Sequence, residues 1–208
     1  MTQAEQWDLL QSRALAKGWP WWTAPNDLNL FGLRAASDQA GPWDDAIGVA
    51  WRDRGLVPHV ELFRGTTDPG RPWLDHPMRP AGCAVVIPGY YRGLWRRGLH
   101  GSPGYPALVQ VGAINVWRDA DHNGTILRGG PVYRDASGIN LHHGGDTKGE
   151  VGLYSAGCQP VRARADLTRI LELVAAQVAA GHGETVSYGL IDVGDEPELA
   201  PLLASVPA

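Results

Sequence analysis

Apolar residues recur at helical intervals in two places. After Thr2, with Glu5 three positions on in a capping-box pattern, Trp7, Leu10, Ala14 and Leu15 trace one face until Gly18, which predicts a helix over residues 3–17. Leu167, Ile170, Leu171, Val174 and Val178 repeat the pattern, Gly181 supplies a stop, and a second helix is predicted over 163–180. Between them the period changes. Val57–Phe63, Ala84–Ile87 and Ala107–Val111 are short β-rich runs punctuated by Gly and Pro, the first followed by the turn-forming Thr67-Asp68-Pro69-Gly70. Ile114–Trp117 and Thr125–Leu127 flank the polar run Asp119–Gly124 and predict a hairpin. Ile139–His142 and Val151–Tyr154, either side of a loop over 143–150, predict two more strands, and 185–191 a last one. Residues 18–42 show no sustained period and predict an irregular segment wrapping the body. The chain is thus read as a helix and wrapping segment (1–42) and a body (43–208), forming one compact unit.

Composition narrows the class. An apolar fraction of 44% with 19% charged residues allows a sizeable core, and 27 Gly with 16 Pro indicate turn-rich structure with short strands. A net charge of −4 gives no basic field, so nucleic acid is not an expected partner. No run approaches the ~18 apolar residues of a membrane span, so no membrane insertion is expected. The N-terminus has neither a basic nor an apolar leader region, which predicts synthesis in the cytoplasm without a signal peptide. The nine tryptophans suit a core or a sugar platform.

Three groups of residues could carry chemistry. Asp119, Asp121, Asn123 and Gly124 match the opening of a calcium loop, but Gly130 stands where a bidentate Glu is needed, so a solvated turn is expected. The seven histidines invite a zinc reading, yet there is no His-Glu-x-x-His run, and His142 and His143 would point to opposite faces of a strand. The strongest signal is Tyr154-Ser155-Ala156-Gly157-Cys158-Gln159. Small residues before a cysteine permit a tight turn that presents the sulfur, the Gly157 and Cys158 amides can converge on an oxyanion, and a helix starts just downstream. The alternative is a small buried hydrophobe, or a disulfide with Cys83.

Gly138-Ile139-Asn140-Leu141-His142, a loop, Ser155-Ala156-Gly157-Cys158, then a helix, Gly181 and a strand together resemble the active-site region of L,D-transpeptidase (YkuD-like) catalytic domains. The likeness covers roughly the last 70 residues well and extends weakly to Val57–Arg118. It implies a mainly β (α+β) fold, an L,D-transpeptidase-like β-sandwich of short strands with flanking helices spanning 43–208, and cysteine acyl transfer on peptidoglycan stem peptides. Two places depart from the family: Ala156 stands where His is usual, and Gln159-Pro160 stand where a small apolar residue followed by Arg or Asn is usual. The Ser-Ala-Gly-Cys-Gln run is similar to phage-encoded variants, for which wall cleavage during lysis, after holin-type release, makes more sense than wall building.

The resulting expectation is a peptidoglycan-active cysteine peptidase that needs no cofactor and no metal. Cys158 is the nucleophile and His142 the base. Gly157 supplies an oxyanion amide, and Ser155 and Asn140 are orienting groups. Gln159, Arg162, His143 and Tyr154 are substrate-binding candidates, His143 being more suited to a structural role. The alternatives are a cross-linking or D-amino-acid-exchanging transpeptidase, a zinc-dependent wall amidase, and a non-catalytic virion or wall-binding module.

Overall fold

The computed structural model describes residues 1–134 and 136–207. The fold class is α+β. Eight strands, β1 (Asn29–Arg34), β2 (Asp45–Arg52), β3 (Pro58–Gly65), β4 (Cys83–Val86), β5 (Gly89–His100), β6 (Tyr105–Gln110), β7 (Val116–Asp119) and β8 (Thr185–Asp192), accompany helices α1 (Gln3–Ala16), α2 (Arg71–Asp75), α3 (Arg164–Ala179) and α4 (Ala200–Ala204). Six strands form a mixed sheet in the order β3-β2-β1-β8-β5-β6, in which β1 and β8 run parallel. β4 and β7 form a separate antiparallel ribbon.

The predicted helices form where the pattern placed them. Thr2 Oγ1 accepts from the Glu5 amide and Glu5 Oε2 from the Thr2 amide, closing the capping box of α1. Leu167, Ile170, Leu173 and Val174 of α3 pack with Leu30, Ile47, Val49, Trp95 and Leu190 on one face of the sheet. Trp7 and Leu10 of α1, with Leu199, Leu202 and Val206 of the C-terminal tail, cover Phe31, Leu33, Ala46, Ala50 and Ile191 on the other.

Three readings are corrected by the structure, the first by that double coverage. Within the predicted irregular segment 18–42, residues 29–34 are a strand: β1 lies at the sheet's centre with all six residues buried, and a strand buried on both faces shows no alternation, whereas 18–28 and 35–42 contain no helix or strand. Ile114–Trp117 makes no hairpin with Thr125–Leu127; β7 pairs instead with β4, while Asp121, Asn123 and Asp119 accept from the amides of Asn123, Thr125 and Leu127. Val151–Tyr154 is not a strand, because Gly152–Tyr154 forms a 3₁₀ turn.

The edges of the sheet, β3 and β6, are stitched together by two irregular segments. Leu141 exchanges both backbone hydrogen bonds with Leu108 of β6, at 3.0 Å each. His143 bridges in parallel to Val161, and Val161 bridges to Gly65 of β3. The seam carries the sequence-predicted site.

Beneath the seam lies a buried cation. Arg34, at the end of β1, is fully buried; Nε donates to Thr67 Oγ1 at 2.9 Å, Nη2 to Thr67 O at 2.9 Å and Nη1 to Val86 O at 2.8 Å. Asp68 lies 3.2 Å from Nε. Asp45 accepts from the Thr67 amide at 2.6 Å and its hydroxyl at 2.8 Å. Truncating one member of such a set leaves the others buried without partners. Arg34→Met is expected to cost about 3–5 kcal/mol in chemical denaturation, whereas Arg71→Met, which breaks the exposed pair with Asp75, is expected to cost at most about 1 kcal/mol. Equal costs for the two would show that Arg34 is not a structural tie.

Candidate active site

The cysteine sits on a turn held from three sides. Gly157 adopts φ +115°, and a Cβ there would lie 2.7 Å from the Ala84 carbonyl of β4, so only glycine fits. Ser155, fully buried, donates from Oγ to Cys158 O at 2.9 Å and accepts from the Gly157 amide at 3.2 Å. The Gly70 amide donates to Ser155 O at 2.8 Å, and Trp73 Nε1 of α2 donates to Leu153 O at 3.0 Å. Ser155 therefore shapes the turn. The Gly157 amide, expected in an oxyanion hole, is already engaged by Ser155 Oγ; the Cys158 amide makes no hydrogen bond among the described residues.

The histidine segment runs beside this turn. Gln159 N donates to Asn140 O and Val161 N to His142 O, both at 2.9 Å, so 140–143 and 159–161 run parallel. A hairpin around the 143–150 loop would have left His142 far from Cys158; the parallel return brings both into one cleft. Asn140 contributes twice. Its amide donates to Cys158 Sγ at 3.5 Å, and its Nδ2 to His100 Nδ1 at 3.0 Å. His100, missed in the sequence, stacks on His142 with ring centroids 4.2 Å apart and planes 9° from parallel. Asn140 thus acts on His142 through His100, not directly.

His142 is buried, and its Nδ1 donates to the carbonyl of His143 at 3.0 Å. This fixes the neutral tautomer that leaves the Nε2 lone pair free. Nε2 is buried and has no hydrogen-bond partner among the described residues. No hydrogen bond joins Sγ to the His142 ring among the described residues; Cys158 Sγ donates to Gly138 O at 3.3 Å. The resting pair is uncharged. Burial pushes the Cys158 thiol up, opposed by the Asn140 amide. Burial brings His142 down to about 4; the His143 carbonyl opposes it, the nearby His100 and His143 rings reinforce it, and the Tyr154 carbonyl opposes it weakly.

A cleft of about 310 Å³ contains both side chains, with Trp73, Ala84, His100, Gly138, Leu153 and Tyr154 among its walls. Of the substrate-binding candidates, Tyr154 lines this cleft. Gln159 does not: it is fully buried, its Nε2 donates to Thr67 O at 3.1 Å, and its Oε1 accepts from Tyr188 Oη at 2.9 Å, so it ties the turn to the interior. Arg162 is outside the cleft, beside Asp166. The His143 ring also lies outside, stacked on Tyr105 at 4.3 Å and accepting from the Gly145 amide at 3.0 Å. Only its carbonyl serves the site. Cys83 is buried in β4 and unpaired, its thiol raised to about 12 by burial. Among the described residues no three His, Cys, Asp or Glu are grouped to hold a metal ion.

Comparison with protein-family models, curated proteins and solved structures returns no match.

The histidine makes a pH prediction. Between about 4 and the ordinary imidazole value of about 6.5, the unfolded chain protonates this ring and the folded chain does not. Its stabilising contribution is full above the ordinary value and is lost as pH falls through the folded one, on the order of 3 kcal/mol in all. Denaturation midpoints of His142→Gln should therefore fall less steeply over that window than those of the wild type. The His100 and His143 slopes, which have the same sign, would remain. An unchanged slope would place the His142 titration elsewhere.

Proposed function

We propose that the protein is a cysteine acyl-transfer enzyme acting on peptidoglycan stem peptides, with an L,D-transpeptidase-like catalytic arrangement and with hydrolysis as its outcome. One observation carries the reading: a thiol and a tautomer-fixed imidazole with an unpartnered Nε2 share one cleft at the seam of the sheet. In this reaction Sγ rotates away from Gly138 O and passes its proton to Nε2 of His142. Sulfur attacks the amide carbonyl, and the amide of Cys158 meets the developing oxyanion. The protonated His142 returns its proton to the leaving amine, and the thioester is then resolved by water. The Asn140 amide on Sγ stabilises the thiolate as it forms.

Hydrolysis is favoured over cross-linking because the Ser-Ala-Gly-Cys-Gln run resembles phage variants, for which release through a holin-type lesion delivers the enzyme to the wall. A zinc amidase, a transpeptidase and a non-catalytic wall-binding module remain the rival readings. Treatment with iodoacetamide, and separately with a chelator, divides them on purified cell walls: loss by alkylation alone supports the cysteine reading, loss by chelator alone supports zinc, and no turnover supports the binding module. Mass spectrometry of the digest separates the other pair, since newly cross-linked dimers or exchange of a terminal D-amino acid would identify a transpeptidase.

Two variants test the roles. Cys158→Ser is expected to abolish turnover with an unchanged far-UV spectrum, because an unassisted hydroxyl is a far weaker nucleophile. His143→Ala is expected to keep more activity than His142→Ala, because alanine retains the backbone carbonyl that holds Nδ1. The reverse order in a wall-digestion assay would move the base to His143.

A further inference from the structure

Among the described residues, the charged side chains on the cleft are both cationic: Arg79 and Arg118 line it together with Cys158 and His142, and no described Asp or Glu does. This stands against a chain whose net charge is −4. Neither guanidinium pairs with a carboxylate among the described residues.

The ribbon explains why Arg118 belongs to the site. It pairs with Ala84 across the β4–β7 ladder, and Ala84 is the residue whose carbonyl presses on Gly157. On each strand alternate residues share a face. Ala84, Val86 and Val116 pack into the main core on the same side as the cysteine turn, whereas Cys83 and Val85 face the other way. Arg118 shares the face of Val116 and Ala84, so its stem runs beside the nucleophile's turn. Its position is braced: Nη1 donates to Gly82 O at 3.4 Å, and the guanidinium lies 5.8 Å from the centre of the Tyr133 ring. Arg118 so braced lines the cleft, and its only side-chain hydrogen bond among the described residues is the one to Gly82 O. Arg79 stands close enough for its charge to depress the Arg118 pKa, secondary to burial. Two like charges held near each other beside a cleft are relieved by an anion between them. The guanidinium fork suits a planar carboxylate.

We propose that Arg118, assisted by Arg79, forms a carboxylate subsite that orients the peptide substrate relative to Cys158. This deepens the proposed function and rests on it. The carboxylate is either the C-terminal group of the peptide or a side-chain carboxylate next to the scissile bond, and both meet the same donors. The subsite also takes the place that Gln159 and Arg162 were expected to fill.

The test is calorimetric binding to full-length Cys158→Ala protein, so that turnover is not required. The probes are a stem peptide with all carboxylates free, the same peptide with a C-terminal amide, and the same peptide with its side-chain carboxylates amidated. Arg118→Gln, made in this background, is expected to weaken binding of the free acid by about tenfold or more, with a smaller loss for Arg79→Gln. Arg118→Lys should recover part of the loss by charge alone. The amidated probe that binds wild-type-like and variant proteins equally weakly identifies which carboxylate is read. Equal affinity for all three peptides, unchanged by Arg118→Gln, would overturn the subsite. Discriminating binding without any turnover by the wild-type enzyme would instead overturn the acyl-transfer reading and leave the subsite standing. Because Arg118 is half-buried, the exposed Arg79→Gln serves as the variant least able to disturb the fold.

Discussion

The burial of Arg34 constrains everything around the cleft. A guanidinium removed from water must have its donors occupied, and here they are occupied by groups from separate parts of the chain: Thr67 in the turn after β3, and Val86 at the end of β4, with Asp68 beside them. Arg128 extends the set by contacting Asp68 at 2.9 Å and Asp192, at the end of β8, at 3.0 Å. Asp45 is pushed up by its burial and by Asp68 and Asp44, yet the Thr67 and Ala35 donors and Arg34 favour its carboxylate form. The sheet, the ribbon and the turn are thereby indexed to one another by directional bonds. Apolar contacts alone would let them slide.

The cysteine turn inherits this indexing. Thr67 O, which already accepts from Arg34, also accepts from Gln159 Nε2, and Gln159 Oε1 receives the Tyr188 hydroxyl. That hydroxyl occupies space that a Cβ on Gly32 would invade at 2.0 Å, so a glycine on the central strand is required two layers away from the sulfur. Gly70 likewise has no room for a side chain, its missing Cβ falling 1.9 Å from Gly152 O. The residue after the cysteine is therefore a structural plug. The resemblance puts a small apolar residue at this position, and here a longer amide spans the space between Thr67 O and the Tyr188 hydroxyl, joining the turn to the interior by hydrogen bonds.

What could be read from the sequence follows from how local each signal is. α1, α3, β3, β4, β6 and β8 lie where period and punctuation placed them, because each is set off by a cap or by neighbouring turn residues. β1 and β2 were lost because both faces are covered, which removes the alternation that marks a strand. Cys158 stood out by residue type and its small neighbours, and the resemblance singled out His142; the structure brings both, with the exposed Tyr154, to one cleft. The parallel pairing that unites them was not, since it depends on Leu141 meeting β6 and Val161 meeting β3, two sheet edges far apart in the chain. His100 gave no local sign either. It comes from the end of β5, and only the three-dimensional stack with His142 reveals it.

The same packing sets the charge state of Cys158 and His142. A thiolate–imidazolium pair at this depth would require two charges in a poorly solvated space, with His100, itself held below the ordinary imidazole range by burial, stacked on the imidazolium. The neutral pair avoids that cost at rest, and Gly138 O holds the thiol proton in the interim. On the proposed reading, charge separation then occurs only when a carbonyl stands ready to take the sulfur's electrons, so the ion pair is brief. The Asn140 amide is already aimed at sulfur and the His143 carbonyl at Nδ1, so each partner of that transient pair has a fixed dipole waiting for it. Preorganised dipoles of this kind cost little reorganisation during the reaction, and they are held in place by the same parallel segments that close the sheet.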